Sequence, residues 1–187
     1  MPINRTLAAQ INRMAIKDQT MRRTAEKTMH FDRNLDIVHA EKLKEIVKAH
    51  GWPTIPLVGK KASRNAWLLV QHANHDLGFQ KKCLARMEQT AKQDKRSIDT
   101  THIAYLRDRI LMMQGKKQKF GTQFKADKNG MKSLYPVENR RGVDILRKQY
   151  GLPPLKDFLD VAKEYNDRIK HAKKDHSTNN GHDTVAG

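Results

Sequence analysis

The sequence holds a single cysteine, Cys83, among 187 residues. No disulfide framework can be built from it, and no thiolate metal cluster. Aromatic residues are scarce at 6%, so the core must rest on Leu, Ile, Val, Met and Ala. Long apolar runs are missing too. The longest aliphatic stretch is WLLV at 67–70, far short of the ~20 residues that cross a bilayer. The opening residues, MPINRTLAAQINRMAIKDQ, lack the continuous apolar segment of a secretory signal, so a cytoplasmic protein is expected, with a non-classical delivery route left open. Acids are the rarer charge: 20 Asp and Glu face 37 Lys and Arg, a formal net charge of +17. A surplus of that size attracts polyanions without any specific site.

Two familiar chemistries are excluded by what the motifs lack. VGKKAS at 58–63 invites comparison with a phosphate loop, but GxxxxGK[ST] fails on Thr54 and Lys61. The 9 histidines include no HExxH pair. No metal site and no cofactor is expected.

What is present is a succession of amphipathic helices. Residues 5–28 carry Leu7, Ile11, Met14, Met21 and Ala25 at helical spacing. Asp36 precedes IVHAEKLKEIVKAH, which Gly51 and Pro53 stop. GWPTIPLVG reads as a loop whose apolar side chains dock on the core. A third helix is expected from Ala62 or Ser63 to about His75, with Gly78 kinking it, breaking it or leaving it continuous into FQKKCLARMEQTAKQ. Asp99, Thr100 or Thr101 caps the next helix, which ends at Gly115. Residues 118–136 alternate loosely around the turn DKNG and read as a small β-hairpin. A short helix and a final amphipathic helix follow. The expected architecture is mainly α: one compact helical domain over 1–172, a hairpin near 118–136, and a disordered tail over 173–187.

The densest chemistry lies in AWLLVQHANHDLGFQ, residues 66–80. On a continuous helix His72, Asp76 and Gln80 stand one above another at i, i+4 and i+8. A carboxylate one turn from an imidazole can orient it and keep it basic, which suits a general base and equally suits a structural pair. Further on, Arg107, Asp108 and Arg109 are consecutive, so at most two can face one site. In QGKKQKFGTQ the amides of Gln114, Gln118 and Gln123 surround glycines and Thr122, a composition that lets a ligand approach the backbone.

The order of these pieces resembles an uncharacterised family of bacterial domains, catalogued as a domain of unknown function. The matches are DQxxR at Asp18, Gln19 and Arg22, the loop Gly51-Trp52-Pro53 with Val58 and Gly59, and AWLxxQHAxxDxxFQ from Ala66 to Gln80. YLxDR follows at Tyr105 to Arg109, then QxYGTQ at Gln118 to Gln123, and Gly151, Leu152, Pro154 and Leu155 near the end. Asn74 stands where that pattern more often has an acid, and Phe120 where it has tyrosine. The resemblance spans roughly residues 10–160 and implies which residues matter, without implying a reaction. The polar matches exceed what capping and packing ordinarily need, and buried polar groups must be paired. One convergent network is therefore expected.

Two functions follow as expectations. The first is a small cofactor-independent hydrolase or group transferase for a polar or anionic small molecule. His72 serves as its base or acid, Asp76 orients it, and Arg22, Gln80, Arg109, Gln118, Thr122 and Gln123 bind substrate. The second is a non-catalytic basic protein, effector- or toxin-like, that holds nucleic acid or an acidic protein partner.

Overall fold

The computed structural model describes residues 2–179, with the side chains of 172–179 left aside. Among them are seven helices and one two-stranded antiparallel hairpin. The fold is mainly α. Helices α1 (Arg5–Thr28), α2 (Arg33–His50) and α3 (Ile55–His72) pack against one another. Each begins on a side-chain cap that satisfies an otherwise orphaned amide: Asn4 accepts from Leu7 N, Asp32 from Asn34 N, and Thr54 from Leu57 N. The expected start of α2 at Asp36 thus moves back to the cap Asp32.

GWPTIPLVG is part loop and part helix. Trp52, Pro53 and Val58 are buried as expected, but Ile55–Val58 already form a first helical turn. Gly59 interrupts it at φ 80°, and the remainder of α3 runs on to His72. Such a φ is open to glycine and strained for other residues. Helix α4 (Leu77–Gln93) is a separate element, followed by a 3-10 turn at Lys95–Ser97 and by α5 (Thr100–Met113), which Asp99 caps through Thr101 N.

Helix α3 is the centre of the bundle and packs against α1, α2, α4 and α5. Its neighbour α1 runs parallel to it, since Asn4 pairs with Leu57, Asn12 with Asn65 and Asp18 with His72 at a nearly constant offset. The core between them is aliphatic, as the shortage of aromatics requires: Ile11, Leu43, Ala66, Val70, Met87 and Leu106 are essentially inaccessible. A smaller cluster of Ala104, Phe120 and Leu152 closes the far side.

Strands β1 (Phe124–Ala126) and β2 (Lys132–Leu134) pair with Phe124 opposite Leu134, and Gly130 takes φ 78° in the turn between them. Helices α6 (Val143–Gln149) and α7 (Leu155–Asn179) complete the chain. Helix α7 continues past residue 172, where a disordered tail was expected to begin. Nothing in that stretch breaks a helix, and elongation is favoured once a helix is nucleated. The rest of the expected tail, 180–187, lies outside the described residues. Among the described residues no helix is long and apolar enough to cross a membrane.

Candidate functional site

On α1, Asp18 and Arg22 are one turn apart and so share a face. The parallel packing of α1 on α3 brings that face to the last residue of α3, His72. Asp18 is fully buried, and its two carboxylate oxygens lie 2.9 and 3.0 Å from His72 Nδ1. Arg22 Nε lies 3.1 Å from Asp18 Oδ1 and 3.0 Å from the same Nδ1. With a lone pair Nδ1 would accept from Arg22 Nε but face two carboxylate oxygens; with a proton it donates to Asp18, and the two oxygens favour the proton. Nδ1 then donates to Asp18, Arg22 donates to Asp18 as well, and Nε2 keeps its lone pair. Burial alone would raise the Asp18 carboxyl. The hydrogen bond and charge of His72, with Gln19 and Arg22, outweigh it and hold the group below its ordinary range.

Arg22 reaches on through Nη2 to Asp36 Oδ1 on α2, at 2.7 Å, and stacks its guanidinium 5.1 Å from the Phe31 ring. Three helices are therefore tied at one point. Above it opens a cavity of about 430 Å³. His72, Arg22 and Asp36 form its polar wall, the exposed Phe31 and Ile37 form an apolar wall, and Arg33, Asn74 and His75 stand at its edge. Arg109, from α5, borders it through Asn74 Oδ1 at 3.4 Å and is bonded to Gln71 Oε1. Burial and the charge of Arg22 lower the Arg109 pKa, and its hydrogen-bond partners here are neutral amides. A guanidinium in that setting favours an arriving anion. Among the described residues no group of three or more His, Cys, Asp or Glu is placed to hold a metal ion.

A family model matches residues 3–170. The chain belongs to this family of unknown function, DUF6624. No curated protein and no solved structure matches it.

In this DUF6624 member, several residues singled out from the sequence stand elsewhere than expected. The ladder of His72, Asp76 and Gln80 does not exist, because α3 ends at His72 and a turn intervenes before α4. Asp76 is the N-cap of α4, accepting from Phe79 N at 2.8 Å, and its other oxygen pairs with Lys44 at 2.8 Å. The Lys44 hydrogen bond leads the causes that lower the Asp76 pKa. The carboxylate that orients His72 is thus Asp18. Gln80 is fully buried and donates to Val70 O at 2.9 Å, which ties α4 to α3.

Gln118, Thr122 and Gln123 are likewise spent inside the protein. Gln118 donates to Gln123 O and Tyr135 O and accepts from Gln123 N. Thr122 donates to Asp108 and accepts from Gln123 Nε2. Of the expected binding residues, Arg22 lines the cavity and Arg109 borders it.

Sequence reasoning missed Asp18 as the partner of His72, although DQxxR placed it one turn from Arg22. His75, which lies off the expected ladder of His72, Asp76 and Gln80, stands on the cavity rim. Phe31, Arg33 and Asp36 carry no motif, so only the packing of α2 could reveal them.

Proposed function

We propose that the cavity beside His72 is the active site of a cofactor-independent hydrolase or group transferase acting on a polar, anionic small molecule. The observation that carries this reading is the buried Asp18 carboxylate seated on Nδ1 of an imidazole whose ring lines an open cleft. A buried carboxylate, an oriented histidine and a free Nε2 are the parts a general base requires. Nε2 takes a proton from water or from an acceptor hydroxyl, and the freed oxygen attacks an acyl or phosphoryl centre. The imidazolium, steadied by Asp18, then returns the proton to the leaving group. Arg22, Arg33 and Arg109 supply positive charge for the anionic group, while Phe31 and Ile37 offer contact to an apolar part of the substrate.

The test is a panel of chromogenic phosphate and acyl esters, assayed with the parent and three variants. Folded His72→Ala should lose at least about 100-fold in kcat, the lower end for general-base catalysis. Asp18→Asn should also lose activity, because the wrong tautomer is then favoured. Asp76→Asn, which keeps a capping side chain, should turn over like the parent. Full activity in His72→Ala would sink the assignment of the base.

A further inference from the structure

A second cavity, of about 460 Å³, lies between α2 and α4 and shares no lining residue with the His72 cleft. Its floor is Val47 and Phe79, both buried, and its rim is Lys44, Lys48, Lys82 and Arg86. Lys82 and Arg86 are one turn apart on α4, so they share a face, and Lys48 approaches from α2. The one acid on the rim, Asp76, is already paired with Lys44, which Glu41 also holds at 2.6 Å. Among the described residues Lys48, Lys82 and Arg86 have no carboxylate partner. Three cations thus converge from two helices on one concavity of small-molecule size with an apolar floor.

From this we infer that the α2–α4 cavity binds a compact polyanion, a small molecule bearing two or more phosphoryl charges. A single carboxylate would leave two of the three cations unmatched. A nucleic-acid strand would call for exposed rings on which bases stack, and the one ring here, Phe79, is buried beneath Lys44, whose Nζ lies 5.6 Å from its centroid.

The probe is inorganic tripolyphosphate, titrated calorimetrically into the full chain at moderate salt. One equivalent should bind, and Lys48→Ala/Lys82→Ala/Arg86→Ala should weaken it at least tenfold. A control triple that removes equal charge elsewhere, Lys125→Ala/Lys128→Ala/Arg140→Ala, should bind within about threefold of the parent. All six residues are exposed, so both triples should fold, as circular dichroism will check. Charge reversal at Lys82→Glu alone gives a second readout and should weaken binding more than Lys82→Ala. Equal loss in both triples would mean diffuse attraction and would overturn the proposal. So would loss of binding in Arg33→Ala, which would place the polyanion beside His72. Absence of tripolyphosphate binding, with single-stranded or duplex oligonucleotides binding instead, would overturn it as well.

Discussion

His102 shows how a single side chain couples this fold to pH. It is buried and stacks on Trp67 with ring centroids 4.2 Å apart. Burial pushes its pKa down from 6.5 to about 4, with Asp99 opposing and Arg64 adding to the shift. The unfolded chain therefore binds a proton near pH 6.5 that the folded chain refuses until near pH 4. Its contribution is complete above pH 6.5, is lost as pH falls toward 4, and changes no further below that. The loss amounts to about 3 kcal/mol over the window. His39, also buried, shifts the same way through desolvation. Urea denaturation at pH 7 and pH 4.5 should show the parent markedly less stable at the lower pH. His102→Phe, which keeps an aromatic ring on Trp67, should show a distinctly smaller difference. An unchanged difference would exclude His102 as the source. The same scale explains what was legible at the site: of the residues singled out from the sequence, His72 and Arg22 line the cleft and Arg109 borders it through Asn74. Asp18 was hidden because its partner lies 54 residues away, a distance that no local period reports.

Among the elements, the segment 118–123 and its hairpin depend on one carboxylate. Asp108, fully buried on α5, accepts hydrogen bonds from Lys119 N, Phe120 N, Thr122 N and Thr122 Oγ1 at 2.7–3.1 Å. Arg147 closes the same segment from α6, donating to Phe120 O at 2.6 Å. Asp108→Asn would turn an amide donor toward some of these donors, at a cost of about 3 kcal/mol. Urea denaturation should show that loss, and hydrogen exchange should quicken over residues 118–137 first. Protection unchanged in that segment would refute the role. Gly121 is a second test: at φ 71°, an added Cβ would lie 2.8 Å from Leu155 Cδ1, so Gly121→Ala should destabilise the same segment. These roles explain why QGKKQKFGTQ misled. Amides that bracket a loop and amides that bracket a ligand have the same composition, and only the partners tell them apart. The helices were legible for the opposite reason, since amphipathic spacing and caps are local. The break between α3 and α4 is the exception. A helix ending at about His75 and a break at Gly78 were among the expectations, but the polar spacing also allowed a continuous helix. The stop falls at His72, with Asp76 as the cap of α4.

For the whole molecule the dominant quantity is +17. Like charges on a body of this size repel, and that repulsion is relieved when the chain expands. Against it stand ion pairs: Arg22 with Asp36 joins α1 to α2, Lys44 with Asp76 joins α2 to the cap of α4, and Arg22 with Asp18 braces α1 itself. Salt weakens both, but not equally. Exposed charges farther apart than the screening length, about 10 Å at 0.1 M, lose most of their interaction. The Asp18 pair, with its carboxylate fully buried, is screened far less. Long-range repulsion is therefore the larger loss, and salt should stabilise the fold. Scanning calorimetry between 20 and 200 mM sodium chloride should show a rising melting temperature, by about 2–4 °C for each kcal/mol of repulsion removed. A falling melting temperature would mean that the interhelical ion pairs outweigh the net charge. The variant lacking Lys48, Lys82 and Arg86 should then rise less with salt than the parent, because part of the repulsion is already gone.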